Sequence, residues 1–543
     1  MTTWTSGEAP GPGYWERRDS RFPVPMSRHL SELFLPAIDQ GTRRGFARYG
    51  SALEYSDFAV VRGRQYVRAH SSGTAEELVE RVKLADQVFA NKLWRRDCAA
   101  WPSIRDTFRR RLIEFARRDP RTMDSAELRH TISALQKIFT EGVTQHFVQQ
   151  PASMVPVGDW VRHTCEWTGA SVAEVISVLH CCRTHSGGSL PVIDVLADSI
   201  RSSPAARDIL CDQVQTPAVR LARLRQISPE ISRRLDAYID EYADRIITGF
   251  DITDATLREL PAFTISIISW RIDSLPGRGV NPNRVKKLRA RVPMDKLDQF
   301  DEGLNEARAA YGLHDEDVRI TYLWPLGLLR RAVLAGADRL AARGLLRMPE
   351  DVFQTTPGEL DDLMTGTSSV CAAEISRRVE EWRSWASDDP PAAFGERTPS
   401  PDDGLLGTAC ARVTSAIIFY LAEMEGCPGN AIEPASPILR GSAASEGCYQ
   451  GRARIVRDPA DFANVSRGDV LVARTTSPAY NVILPTVGAI VTDRGGTLCH
   501  AAILAREFKI PAVVGAKQAT LRIPDGADVL VDGSHGFVAV QEP

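Results

Sequence analysis

The 543-residue chain is long enough for about three domains, and 43% hydrophobic with 25% charged residues is an ordinary globular composition. A net charge of −3 leaves no basic footprint for nucleic acid or an anionic membrane surface, and no unbroken apolar stretch approaches about 18 residues. The amino terminus lacks a charged segment followed by an apolar core, so the expected compartment is the cytoplasm, where the ten cysteines stay reduced.

Residues 1–75 mix turn-rich and extended sequence around Gly13-Tyr14-Trp15 and Arg21-Phe22-Pro23-Val24-Pro25, and residues 26–49 take helical spacing. From about residue 75 to 385 the pattern is mainly helical, with clear amphipathic stretches over 76–89 and 328–343. Cys181 and Cys182 with His180 and His185 invite a metal reading, but no second ligand pair stands at zinc-like spacing, so thiols on a core helix are expected and no metal site. Residues 388–404 read as a linker or long loop, and 427–437 as a second. The expected fold is multidomain: a large, mainly α-helical domain over 1–430, then a small α/β domain over 435–543.

The chemistry concentrates in that last domain. Ala489-Ile490-Val491-Thr492 is a β-branched run, Gly495-Gly496 breaks it, and residues 498–507 have helix-forming composition. Strand, glycine turn and helix together put His500 in a first helical turn, beside unpaired amides and the positive end of the dipole. An imidazole near its reference pKa is mostly neutral at pH 7, so one ring nitrogen is a nucleophile, and a phosphoryl group carried there suits the helix terminus. Thr492, Arg494, Gly495 and Gly496 are the candidate phosphoryl contacts, and Ala501 and Ala502 leave the approach open. Arg506 lies about 240° around the helix from His500 and is assigned to structure or docking. The plain alternative is a tight turn followed by a helix cap.

The run from Thr492 to Gly515 resembles the phosphohistidine motif of the phosphoenolpyruvate-utilising enzymes, among them phosphoenolpyruvate synthase, pyruvate phosphate dikinase and rifampicin phosphotransferase. The resemblance continues through residues 441–456, 469–472, 476–478, 525–526 and 532–533, and it implies a swivelling domain with His500 as the phosphorylated residue. Dikinases often carry threonine where this chain has Leu498, and exchanging the two is expected to be mild. Residues 300–312, Tyr322 to Trp324, residues 327–331 and 348–353, and Trp15 with residues 22–25 resemble the acceptor-binding domain of rifampicin-phosphotransferase-like proteins.

The family charges its histidine through an ATP-grasp domain or a phosphoenolpyruvate-binding barrel, and neither pattern stands in these residues. The arrangement resembles two-component aromatic kinases such as phenylphosphate synthase and the enzyme that phosphorylates 4-cresol. That implies an ATP-grasp partner subunit holding ATP and magnesium, and a small hydroxyl-bearing acceptor, phenolic or otherwise aromatic. The resemblance further implies that ATP is cleaved to AMP and phosphate, leaving one phosphoryl on His500. Arg319, Arg330 and Arg331 are candidates to receive it, against a solvated helix face. Trp15, Tyr322 and Trp324 are candidates for an aromatic wall, against core packing, and His314, Asp315 and Asp317 for the general base. Two other expectations stand beside this one, an antibiotic-modifying phosphotransferase and a non-enzymatic phosphohistidine relay.

Overall fold

Arg62 and Gly63 both adopt positive φ, 46° and 70°, which is the backbone a two-residue hairpin turn requires. In the computed structural model every residue is described except 1, 4–6, 20, 72–73, 180–190, 274–281, 387, 389, 397–406, 427–437, 458, 477–479, 481–482, 485 and 542–543. The Arg62-Gly63 hairpin belongs to a five-stranded sheet made of β1 (Thr2–Thr3), β2 (Trp15–Arg17), β3 (Leu53–Val61), β4 (Arg64–Ser71) and β5 (Ala393–Phe394), in the order β1-β3-β4-β2-β5. The extended sequence of residues 1–75 thus resolves into strands. Ala393–Phe394, inside the expected 388–404 linker, pairs with Trp15 and Glu16 as an edge. The candidate metal residues His180, Cys181, Cys182 and His185 lie outside the described residues.

The helical body follows from its apolar spacing and its caps. The Arg28–Arg48 helix starts on the Ser27 side chain, and the Ser125–Gln149 helix on Asp124. Ser203-Pro204, Thr216-Pro217 and Ser228-Pro229 each place a capping hydroxyl directly before a proline at the first helical position. One large core spans Phe22 to Tyr420, and a satellite core joins the helices between Ile193 and Ile268. Just before the Trp324–Ala342 helix, residues Arg319–Leu323 widen into a π-turn, in which the Trp324 N–H reaches back to the Arg319 carbonyl. Pro325 accounts for the irregularity: it has no N–H for the Thr321 carbonyl, so the regular ladder fails there.

The last domain is an eight-stranded sheet. Its strands are β6 (Ile438–Arg440), β7 (Ser442–Ser445), β8 (Cys448–Val456), β9 (Val470–Ala473), β10 (Ala489–Thr492), β11 (Ala512–Val514), β12 (Asp528–Asp532) and β13 (Phe537–Val540), ordered β6-β13-β12-β8-β9-β10-β11-β7. Strands β8 to β11 run parallel and form the centre, with β9 and β10 buried along their whole length as central parallel strands are. One face carries the His500–Phe508 helix through Ala501, Ala502, Leu504 and Ala505, and the other is covered by a second apolar layer including Ala519 and Ile523. Among the described residues no helix is long and apolar enough to cross a membrane.

Candidate active site

β9 and β10 end side by side, with Thr492 opposite Ala473. Their backbones stay paired one step further, Asp493 N–H donating to the Ala473 carbonyl at 3.0 Å and Arg494 N–H to the Arg474 carbonyl at 2.9 Å. Loops leaving the carboxyl ends of neighbouring parallel strands open a crevice, the usual place for a ligand in such a sheet. They meet again at His500, whose Nδ1 lies 3.0 Å from Thr476 Oγ1.

His500 is the first residue of its helix, after Cys499 in extended conformation and Gly495 at φ 104°. Composition alone starts this helix at residue 498, and the structure starts it two residues later because the intervening backbone is used elsewhere. Gly496 N–H donates to the Met424 carbonyl at 3.4 Å and Leu498 N–H to the Glu423 carbonyl at 2.9 Å. Those carbonyls belong to the end of the Thr408–Glu425 helix of the helical body, where intrahelical partners run out. The Thr497 hydroxyl donates to the Glu423 carboxylate, and Leu498, 2% exposed, packs into the core of the helical body. A Cβ on Gly496 would stand 2.3 Å from the Glu423 carbonyl oxygen, so glycine is required for the close approach. Leu498 is therefore a wedge between domains, and its exchange for threonine is costlier than the sequence suggests.

Desolvation first, and then the positive charge of Arg319 across the seam, push the His500 pKa down to about 3. The ring is neutral throughout the physiological range, further from protonation than its reference value implies. In the tautomer that donates Nδ1–H to Thr476, the Nε2 lone pair remains for nucleophilic attack. The sequence does not link Thr476 to His500, because no local spacing joins residues on two different strand ends.

The other motif residues brace this loop. Thr492 is fully buried, and its hydroxyl donates to the Arg494 carbonyl at 2.8 Å, closing the turn. Arg494 reaches outward to Asp19 at 3.5 Å, and Arg474 donates to the Pro23 carbonyl at 2.9 Å, so both strand ends hold the amino-terminal segment. Arg506 is half-buried under the loop, donating to the carbonyls of Ala444 and Thr497 and lying against the Tyr311 phenol of the helical body.

On the facing wall, only Arg319 among the three candidate arginines has its charge felt at His500. Arg330 is buried and spent on both carboxylate oxygens of Glu259, at 2.8 and 3.0 Å, and on the Ile252 carbonyl. Arg331 pairs with Asp244 at 2.7 Å and with the Phe115 and Arg118 carbonyls. Tyr322 and Trp324 are fully buried, and the Tyr322 hydroxyl donates to the Phe250 carbonyl at 2.7 Å. Trp15 sits apart, in the small core of the first sheet with Tyr66. Asp317 is buried against His146 at 3.1 Å, whereas the side chains of His314 and Asp315 lie outside the described residues.

Comparison with known proteins follows the same division. Residues 465–536 match the family model of the PEP-utilising enzyme mobile domain, and residues 154–314 that of the rifampicin phosphotransferase fourth domain. The rifampicin phosphotransferase of Streptomyces sviceus is 27% identical over 394 residues, which is 69% of this chain and 42% of that protein. An uncharacterised phosphotransferase of Bacillus subtilis is 47% identical over 317 residues, 57% of this chain and 36% of its own length. A probable phosphoenolpyruvate synthase of Pyrococcus horikoshii is 36% identical over 176 residues, 32% of this chain and 20% of that one. The matches thus span less than half the length of each of these relatives.

Proposed function

Because this chain belongs to the family of phosphoenolpyruvate-utilising enzymes, we propose that it is the acceptor-binding, phosphohistidine-carrying part of an ATP-dependent phosphotransferase. His500 is the carrier, the helical body holds a small aromatic or phenolic hydroxyl compound, and an ATP-grasp module on a partner polypeptide handles ATP and magnesium. The observation that supports this reading is the docked geometry: a neutral histidine, fixed through Nδ1 by Thr476, is seated against the helical body within the field of Arg319.

The chemistry is a charging stage and a transfer stage. In the first, Nε2 forms a bond to the β-phosphorus of ATP as the bond from that phosphorus to the AMP oxygen breaks, and water then splits off the terminal phosphate to leave one phosphoryl on Nε2, while Nδ1–H stays hydrogen-bonded to Thr476. In the second, the acceptor oxygen bonds to phosphorus as the Nε2–phosphorus bond breaks and the hydroxyl proton passes to a base. Arg319 supplies positive charge beside the equatorial oxygens, where phosphoryl transfer gains most from it.

Intact-mass analysis tests the carrier. After incubation with ATP, magnesium and host cytosol, the protein should gain one acid-labile phosphoryl group that His500→Ala cannot take, with the variant's circular dichroism unchanged. An adduct that survives in His500→Ala would sink the assignment, and an adduct from ATP and magnesium alone would remove the need for a partner. Some relatives are named rifampicin phosphotransferases, so the acceptor panel for the charged protein includes rifampicin beside simple phenols. Transfer to rifampicin alone would favour the antibiotic reading.

A further inference from the structure

Arg21 lies on the amino-terminal segment between the two points that the mobile domain grips, Asp19 held by Arg494 and Pro23 held by Arg474. Its guanidinium stands among four rings, with its carbon 5.2 Å from the centroid of Phe147, 5.5 Å from Phe250, 5.6 Å from Tyr322 and 6.0 Å from Phe34. Stacking over ring faces orients the cation without using its N–H donors. Among the described residues its buried Nη1 has no hydrogen-bond partner. Leaving a charged donor unsatisfied in the interior is costly, and native structures rarely do so without a reason.

Two other arginines of the helical body behave differently. Arg330 and Arg378 are tied through several donors to carboxylates and carbonyls, as structural guanidinium groups are. Arg21 is held over rings, with Glu425 as the carboxylate that offsets its charge, beside the π-turn that carries Arg319. The two cations divide the seam: Arg319 acts on His500, whereas Arg21 is felt at Tyr322, deeper in the aromatic wall.

We propose that Arg21 anchors the acceptor, its Nη1 binding an anionic oxygen of a planar aromatic compound whose ring lies against Phe250, the partly exposed ring of the four. This rests on the reading that the helical body binds the acceptor. The anionic oxygen belongs either to a ring carboxylate or to an ionised ring hydroxyl, and the fork of a guanidinium suits both.

Calorimetric titration of the full chain with 4-hydroxybenzoate, 4-hydroxybenzamide and 4-nitrophenol tests it without any phosphoryl donor. The benzoate should bind at least about 10-fold more tightly than the uncharged amide, as loss of a charge-assisted contact predicts. Arg21→Met should erase that preference while changing the amide's affinity less than about threefold. A nitrophenol affinity that climbs as its hydroxyl ionises identifies the hydroxyl as the source, and a benzoate preference with no such climb identifies the carboxylate. If Arg21→Met fails to fold by thermal unfolding, Arg21→Lys, which keeps charge but loses the fork, should still weaken the anionic probes selectively. Equal binding of benzoate and amide, no binding of any probe, or a preference that survives substitution would overturn the proposal. A charged-acceptor preference in a protein whose His500 never accepts phosphoryl would instead fail the kinase reading and leave this one standing.

Discussion

The two walls that meet at His500 are built by different means. On the mobile side the loop is held by the backbone bonds of Gly496 and Leu498, the Thr497 hydroxyl and one wedged leucine. On the helical side the wall is locked by ion pairs that each have one buried partner: Arg330 on Glu259, and both Arg258 and Arg331 on Asp244. Each hydrogen bond contributes about 1 kcal/mol net and burying the leucine about 2 kcal/mol, so the loop contacts can be released at modest cost. Breaking a buried ion pair from one side costs more, because a charge is left behind. A carrier that must visit two sites fits the first construction, and a wall that must position an acceptor fits the second. The seam is broader than the loop, since Phe263 packs on Phe462 at 5.4 Å and Arg284 pairs with Glu446 at 2.8 Å.

The sharpest break in this contrast is Arg330→Met. It leaves the buried Ile252 carbonyl without its donor and returns the Glu259 carboxylate, more than a third exposed, to water, and should destabilise the helical body by about 2–3 kcal/mol, mostly through the carbonyl. Arg319→Met should slow transfer from charged His500 far more than it lowers the unfolding midpoint. Chemical denaturation beside single-turnover transfer separates the two, and equal stability losses would erase the distinction between wall and site.

Gly496→Val attacks the other construction. With a Cβ driven against the Glu423 carbonyl, the loop cannot seat, and transfer to acceptor should fall about 100-fold, equivalent to about 3 kcal/mol. Charging of His500 should persist, because it needs no seat on the helical body. If charging and transfer fall together, the glycine serves the turn and not the docking.

What could be read in advance divides along the same line. Ala489–Thr492, the diglycine and the carrier helix are local, and a local segment announces itself through propensity, turn residues and caps. His500 was legible for that reason. Thr476 beside His500, Arg319 across the seam and Glu423 beneath Gly496 depend on tertiary closure, which no spacing encodes. Arg330 and Arg331 looked equivalent to Arg319 in sequence, and only the positions of Glu259 and Asp244 separate them. The five-stranded sheet was hidden because two of its strands are only two residues long.

Acid sharpens the comparison through two histidines. His29, fully buried at the start of the Arg28–Arg48 helix, has its pKa driven down to about 4 by desolvation. Its unfolded value is about 6.5, so between these pH values the unfolded state binds more protons and stability falls as pH falls. The helical body should lose about 2–3 kcal/mol from this group by about pH 4.5, and His29→Leu should flatten that part of the curve. His500, with a folded value of about 3, destabilises over the same acid window, but it does so in the mobile domain and its docking, so His500→Ala should flatten the mobile domain's acid response and leave that of the helical body to His29. A pH-stability series on both variants checks the assignment. An acid response that follows His500 instead would mean that docking of the mobile domain dominates the helical body's stability.

The smallest expected effect lies inside the carrier itself. Thr476→Val keeps the shape of the side chain and removes the oxygen that accepts from Nδ1–H, so the neutral ring redistributes between its two tautomers. Part of the population then carries its proton on Nε2, where it blocks attack, and the charging rate should fall about 10-fold, or about 1.4 kcal/mol. Thr476→Ser restores the oxygen and should recover most of the rate, which a purely steric role for the threonine methyl would not allow. Imidazole nitrogen shifts measured by NMR on the uncharged protein should move toward the Nε2–H form in the valine variant alone. Unchanged shifts with a slowed rate would mean that Thr476 acts on the incoming phosphoryl group, and the tautomer argument for Nε2 would have to be abandoned.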